Sequence, residues 1–304
     1  MIATVAKKIA RYFRPKTATI NEKIVRYYDA GLQHLHENHG RADVAEDTQI
    51  DDTPQWVNLG YWKEAKTFLD AGEALANLLG RAAELAPDDE VLDVGFGLAE
   101  QDFYWLDTFD VRWIVGFDLT PGHVEIARRR VEKRGLGNRI NLGVGSATAI
   151  PVGDCCFDKV ISLESAMHFV TREDFFKEAF RVLRPGGRLA LTDLLPEVEG
   201  RTMGGLAGWW KRRSLGVPAI NLYDRNVYQD KLQSIGFKNV RVDSLGEHVF
   251  RWAYKHFTLM RHTDSAVLDT MPIELNEKER DPSWRPPPVS WGLGDYVLFT
   301  ADKQ

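Results

Sequence analysis

The chain predicts a doubly wound α/β fold, and three observations carry that expectation. Short apolar runs suited to buried strands recur at 91–94, 113–117, 139–144, 157–163 and 188–192. Intervals of helical length separate them, the clearest being 121–134, with Pro121 in its first turn and Gly135 just beyond its end. Glycine and turn residues follow the runs, at Gly95 and Gly97 and again at Pro185-Gly186-Gly187, as expected where strands give way to loops. No internal repeat is visible.

A chain of 304 residues can form one large α/β domain or an ordinary domain carrying insertions. A composition 44% hydrophobic and 27% charged belongs to a soluble globular protein with a sizeable core. The net charge of -5, from 39 basic and 44 acidic side chains, supplies no global field for nucleic acid, which is disfavoured as a partner. The cysteines, Cys155 and Cys156, are adjacent, so a disulfide framework is excluded. No nearby His or Cys completes a tetrahedral set around them, and no metal is expected.

In chain order, residues 1–15 interleave Lys7, Lys8, Arg11 and Arg14 with Ile9, Ala10, Tyr12 and Phe13. The segment is too short and too charged to span a bilayer and lacks the pattern of a secretory signal. Packing on the protein's own core is the plain role and peripheral membrane contact the alternative; cytoplasmic residence is expected. Residues 20–80 read as helical, punctuated by Ile24, Val25, Tyr27 and Tyr28 and by Asn58-Leu59-Gly60-Tyr61-Trp62, with a polar, turn-rich loop at 36–54. Residues 67–85 place Phe68, Leu69, Leu75, Leu78, Leu79 and Leu85 on a broad stripe that should pack against a sheet. After the five strands, 194–217 loosens into Gly, Trp and basic residues, either a substrate-facing insertion or a packed helical excursion. A helix at 226–235 ending at Gly236, a strand at 240–242, a helix at 252–269 and a strand at 295–300 complete the reading.

Glycines directly after a buried strand allow a tight turn and close approach of a ligand to the backbone, which describes Gly95 and Gly97 after Val94. Asp118 ends the next strand, where a carboxylate can accept hydrogen bonds from ribose hydroxyls. It would repel an additional phosphate, favouring adenosine or NAD over NADP. The third glycine of the dinucleotide fingerprint is absent.

Leu92-Asp93-Val94-Gly95-Phe96-Gly97, Gly116-Phe117-Asp118-Leu119, Phe157-Asp158-Lys159-Val160-Ile161 and Arg181-Val182-Leu183-Arg184-Pro185-Gly186-Gly187-Arg188-Leu189 together resemble class I S-adenosylmethionine-dependent methyltransferases of the ubiquinone, sterol and natural-product branch. The resemblance runs from Asn58 through the last strand and is strongest over 88–195. It implies a Rossmann-like, seven-stranded mixed sheet with an antiparallel final strand. It also implies S-adenosyl-L-methionine as cofactor and S-adenosyl-L-homocysteine as product. Asp93 would then orient the cofactor around the Gly95 and Gly97 backbone, Asp118 with Leu119 would hold the ribose, and Ser146 and Ala147 would border the adenine. Many relatives carry Asp at the position of Ser146. By the same resemblance, residues 1–80 form an N-terminal helical lid and acceptor-pocket region and 81–304 the methyltransferase core, with 194–217 inserted toward substrate. Tyr27, Tyr28, Tyr61 and Trp62 would wall the methyl donor with aromatic faces, or else belong to the core.

The reaction centre is expected in Glu164-Ser165-Ala166-Met167-His168, after the fourth strand. His168 would remove the acceptor proton and Asp193, after the fifth strand, would orient its imidazole, as a similar pair does in some natural-product O-methyltransferases. An isolated His can equally serve packing. Glu164 would contact the cofactor or cap a turn. In the runner-up mechanism, methylation of an isoprenoid or sterol-like carbon, it would instead be the acid-base group. The favoured reaction is methyl transfer to the hydroxyl of a small or lipid-like acceptor, ahead of carbon and nitrogen methylation. A non-enzymatic cofactor-binding adaptor and an NAD-dependent dehydrogenase are the competing classes.

Overall fold

The computed structural model describes residue 25 and residues 54–196 and 217–304, apart from 261, 264, 282 and 285–292. Tyr27, Tyr28, the basic residues 1–15 and most of the 194–217 stretch therefore lie outside the described residues.

Thr67 opens the first helix of this region, α1 (Phe68–Ala82), by accepting the Asp70 N–H on its hydroxyl while Asp70 reaches back to the Thr67 N–H. This reciprocal cap satisfies two helix-end donors and fixes where the helix starts. Phe68, Ala71, Leu75, Ala76 and Leu79 recur at helical spacing and are all buried. Upstream, 54–66 contains no helix, contrary to the helical reading of 20–80. That stretch is held by tertiary bonds instead: the Tyr61 N–H donates to Ala71 O and the Trp62 N–H to His248 O, both at 2.8 Å.

Strands and helices then alternate as β1 (Glu90–Val94), α2 (Glu100–Phe109), β2 (Trp113–Asp118), α3 (Pro121–Lys133), β3 (Ile140–Val144), β4 (Phe157–Leu163), α4 (Arg172–Val182) and β5 (Leu183–Pro196). They are followed by α5 (Arg225–Ile235), β6 (Lys238–Ser244), α6 (Phe250–Leu259), two short helices α7 (Ser265–Leu268) and α8 (Glu277–Arg280), and β7 (Leu293–Asp302). The seven strands form one sheet in the order β3-β2-β1-β4-β5-β7-β6. β1 to β5 pair in parallel, while β7 runs antiparallel to both β5 and β6. The mixed sheet and its antiparallel last strand match the expected fold.

Alternation along the strands divides the core in two. Val91 and Ile161 face one cluster with Leu75 and Leu79 of α1, Phe103 and Leu106 of α2, and Val124 and Ala127 of α3. Leu92 and Val160 face another with Phe175, Phe176 and Ala179 of α4 and Tyr228 and Leu232 of α5. Covering both faces is what a parallel sheet of such apolar strands requires. The strand order reverses between β1 and β4, where the chain departs to opposite sides and leaves a crevice at the carboxyl ends.

The expected continuous helix at 252–269 is instead broken into α6 and α7. The tertiary bonds of the following backbone account for this: Leu69 N donates to Asp269 O at 3.2 Å and Ile273 N to Lys66 O at 2.8 Å, docking the stretch on the start of α1. Among the described residues no helix is long and apolar enough to cross a membrane.

Gly60 fixes how the 54–66 stretch meets α1. It has φ +76°, and a Cβ there would lie 2.6 Å from Ala71 Cβ. Gly60→Ala is expected to destabilise the protein by roughly 1–3 kcal/mol through combined backbone strain and overpacking. Chemical denaturation of the two proteins in parallel checks this; equal midpoints would mean the stretch does not dock as described.

Candidate active site

The crevice at the switch point is a cleft of about 840 Å³ including its open mouth, lined by the loops after β1, β2, β3 and β4. Its floor begins at Gly95, where φ is +83° and an added Cβ would lie 2.4 Å from Ser165 Oγ. The loop after β4 thus presses directly on the loop after β1, and only glycine fits between them. Ser165 Oγ donates to Val94 O at 2.8 Å and tightens the same contact. Gly97 is the opposite case. A Cβ there would meet nothing closer than 3.9 Å, so its backbone lies open to the cleft. Ala99, at the end of the same loop, takes the left-handed conformation, φ 61°.

Asp118 lies across from this loop with its carboxylate at the cleft wall. Oδ2 accepts the Gly97 N–H at 3.0 Å and Oδ1 accepts the Thr120 N–H at 2.8 Å, so both loops are held by one side chain. Each oxygen keeps a further lone pair for a ligand hydroxyl. His123, in the first turn of α3, places Nδ1 3.5 Å from Asp118 Oδ1. Leu119, Ser146 and Ala147 also line the cleft. Ser146 Oγ accepts the Thr148 N–H at 3.3 Å and so shapes its own turn.

Asp93 lies beneath the floor rather than in the cleft wall. It is fully buried on the α2 side of β1, where Gln101 Nε2 donates to its Oδ2 and to Phe96 O, both at 2.9 Å. Gln101 itself lines the cleft. Asp93 therefore acts on the glycine loop through Gln101. Asp102 is buried beside it. Burial pushes Asp93 up to about 7, against the Gln101 hydrogen bond, and burial together with the Asp93 charge pushes Asp102 well above the carboxylate range.

Glu164 and His168, both after β4, line the cleft as expected. Glu164 sits at φ 52° and is heavily engaged: its two oxygens accept the Leu59 N–H at 2.9 and 3.1 Å, and Oε1 accepts the Tyr296 hydroxyl at 2.6 Å. Burial pushes its carboxyl up to about 7, opposed by these two donors. His168 ends a 3-10 turn, Ala166–His168, and is 7% exposed.

Asp193 is not brought to His168. It is fully buried away from the cleft lining, with Oδ2 2.8 Å from Arg172 Nε and 3.1 Å from the donating Tyr228 hydroxyl. Its Oδ1 accepts from Arg172 Nη2 at 3.2 Å and from the Leu194 N–H at 2.8 Å. A buried carboxylate goes to the strongest available donor, and a guanidinium on the facing helix outcompetes a neutral imidazole. Burial works against the Arg172 charge, and Asp193 more than offsets it, leaving that guanidinium above its ordinary range.

Tyr61 and Trp62 do not line the cleft either. Trp62 is 1% exposed, donates from its indole to Leu59 O at 2.9 Å and packs with Phe68, Leu268 and Ile273. Tyr61 meets His248 edge-on at 5.5 Å. Both aromatics are core contacts. Their stretch reaches the cleft through Val57, which is 54% exposed, and through the Leu59 amide on Glu164. Sequence reasoning missed Gln101, Thr120 and His123. Their signal was position: each lies within a few residues of a ligand-facing strand end or glycine loop.

The arrangement offers hydroxyl acceptors at one end, open backbone in the middle, and a carboxyl and an imidazole at the other. Such a cleft holds a nucleoside and places proton-accepting groups beside whatever it carries.

Comparisons with known proteins agree with that reading. Residues 92–191 match the family described as a methyltransferase domain. The chain is 42% identical over 218 residues to erythromycin 3''-O-methyltransferase of Saccharopolyspora erythraea, covering 67% of this chain and 69% of the relative. It is 30% identical over 257 residues to 27-O-demethylrifamycin SV methyltransferase of Amycolatopsis mediterranei, covering 80% and 88%. Among solved structures it is similar to geranyl diphosphate C-methyltransferase of Streptomyces coelicolor, with TM-score 0.65, 18% identity and coverage of 95% and 100%. The [4+2]-cyclase SpnF is equally near, with TM-score 0.66, 18% identity and coverage of 94% and 97%. These two share the fold.

The Glu164 carboxyl, raised from 4.5 to about 7, favours folding in its protonated form. That contribution is complete below about pH 4.5 and is lost as pH rises through 7. Its size is on the order of 3 kcal/mol. Glu164→Gln keeps a carbonyl oxygen for Leu59 and Tyr296 but cannot ionise. The stability difference between variant and wild type should therefore swing toward the variant from about pH 5 to about pH 8. Urea denaturation across that range reads the swing; a flat difference would show Glu164 ionising normally.

Proposed function

The chain belongs to the class I S-adenosylmethionine-dependent methyltransferases, and from that premise we propose that it methylates a hydroxyl group of a natural product, with His168 as the general base. The observation that carries this reading is the placement of His168, buried in the wall of the same cleft that Asp118 and the glycine loop line. The two sequence relatives described above are both named for oxygen methylation of natural products.

The residues present fit S-adenosylmethionine. Gly97 leaves the loop after β1 open, Asp118 retains a lone pair on each oxygen for the ribose hydroxyls, and Leu119, Ser146 and Ala147 border the neighbouring wall. A Ser in place of the usual carboxylate at 146 leaves recognition of the adenine to hydroxyl and backbone groups. When bound, the cofactor supplies a methyl group already activated by its sulfonium charge. The protein's remaining tasks are to align the acceptor oxygen, to exclude water and to take up one proton, which falls to the His168 imidazole. Glu164 accepts three hydrogen bonds and has one carboxylate lone pair left, on Oε2, for a cationic ligand group.

Methylation of a carbon acceptor is the second reading. It rests on Glu164, which lines the cleft with its carboxyl held near 7. The hydrogen bonds to Leu59 and Tyr296 weigh against it, because they leave a single lone pair, on Oε2, to receive a proton from the acceptor.

Incubation of the protein and S-adenosylmethionine with 27-O-demethylrifamycin SV and a panel of hydroxylated macrocycles, read by mass spectrometry, is expected to give products heavier by one methyl-for-hydrogen exchange. Formation of S-adenosylhomocysteine without oxygen methylation would overturn the reading. His168→Ala is expected to slow single-turnover transfer by roughly 10² to 10⁴ while leaving cofactor affinity intact. If Glu164→Gln slows it and His168→Ala does not, the carbon reading replaces the first. Asp118→Asn should weaken cofactor binding by roughly 1.5–3 kcal/mol in calorimetry.

A further inference from the structure

His168 sits on a three-residue turn, and a turn that short does not hold an imbedded side chain still without outside support. Asn221 supplies such support. Its Nδ2 donates to Met167 O at 3.1 Å and to Phe169 O at 2.7 Å, the carbonyls on either side of His168. Its Oδ1 accepts the Arg172 N–H at 3.2 Å. Both N–H groups and one lone pair of the carboxamide are used, at a residue only 1% exposed. One nitrogen with two divergent N–H groups can bridge two carbonyls that flank a single residue. Neither a carboxylate nor an apolar side chain can do so.

Asn221 is in turn clamped by Arg172. The guanidinium donates to Asn221 O and to Leu194 O, the latter at 2.9 Å, and pairs with Asp193. The Tyr223 and Tyr228 rings each lie 5.4 Å from it. Asp193, Arg172 and Asn221 thus form a buried chain that ends on the backbone of the His168 turn.

We propose that Asn221 is the positioning residue for His168, and that Asp193 acts on the imidazole at two removes, through Arg172 and Asn221. The proposal rests on the general-base reading of His168 for its consequence in rate, and on the hydrogen bonds alone for its consequence in structure. Asn221→Asp keeps the side-chain shape and the oxygen facing Arg172 but turns an oxygen, rather than two N–H groups, toward the Met167 and Phe169 carbonyls. Asn221→Ala removes the bridge outright.

The test uses the full chain saturated with S-adenosylhomocysteine, whose affinity should be unchanged in both variants. The ring ¹⁵N–¹H signals of His168, assigned through their loss in His168→Ala, are expected to move or broaden in both Asn221 variants. Methyl transfer to 27-O-demethylrifamycin SV, or to the macrocycle of the same panel that gives the fastest wild-type reaction, should fall by about 10- to 100-fold, the scale of an ångström-sized misplacement. Adding Asn221→Ala to His168→Ala should cost no further rate, because both changes remove one function. His168 ring signals unmoved in folded Asn221→Asp overturn the proposal, as do rate losses that multiply in the double variant. Should Asn221→Ala not fold, Asn221→Asp carries both measurements. If His168→Ala alone leaves the rate at wild type, the general-base reading fails, while the ring signals still decide whether Asn221 holds the turn.

Discussion

At the mouth of the cleft a single carboxyl joins three distant stretches of chain. Glu164 follows β4, receives the amide of Leu59 from the stretch before α1, and receives the hydroxyl of Tyr296 from β7. The stretch before α1, the parallel half of the sheet and the antiparallel half meet at this one group. Its left-handed backbone, φ 52°, aims the side chain out of the strand line toward these partners. The backbone geometry is thus spent on assembly as much as on chemistry.

The two halves of the cleft are held by different means. On the nucleoside side the holding is local: Gly95, Gly97, Asp118 and Thr120 engage one another across adjacent strands β1 and β2, so the site is a direct product of strand register. On the reacting side it is remote. The turn carrying His168 depends on Asn221, which follows β5 by a long excursion, and on Arg172 at the start of α4. A cleft built this way can change its His168 side through distant substitutions while the side formed by the glycine loop and Asp118 stays fixed.

That division also explains what was legible in the sequence. Gly95, Gly97, Asp118, Ser146, Ala147, Glu164 and His168 were readable because each follows a strand whose apolar run is a local signal, and strand ends converge in a doubly wound sheet. Tyr61 and Trp62 were misplaced because aromatic chemistry serves a core and a ligand wall equally; only the indole bond to Leu59 O and the packing on Phe68 decide it. Asp193 was expected after the fifth strand but lies inside β5, and its partner was not readable, since Arg172 meets it through tertiary packing. β5 and β7 proved longer than their apolar runs, Leu183–Pro196 and Leu293–Asp302; antiparallel pairing between them carries β5 on to Pro196 and β7 out to both its ends, while Leu183 pairs with Phe157 of β4. The break between α6 and α7 likewise comes from contacts with the start of α1 that helical periodicity cannot report.

The position of β7 bears on how the protein comes into being. It follows β6 in the chain yet lies between β5 and β6 in the sheet, bonded to both. On a ribosome, β5 and β6 emerge with a strand-wide gap between them, and each presents an unpaired edge until the last strand arrives. The nascent chain therefore cannot complete its sheet early, and because Tyr296 belongs to β7, neither can it seat Glu164. Synthesis of the final strand closes the sheet and finishes the cleft in one event, so a nascent chain halted before it would be both sticky and inactive.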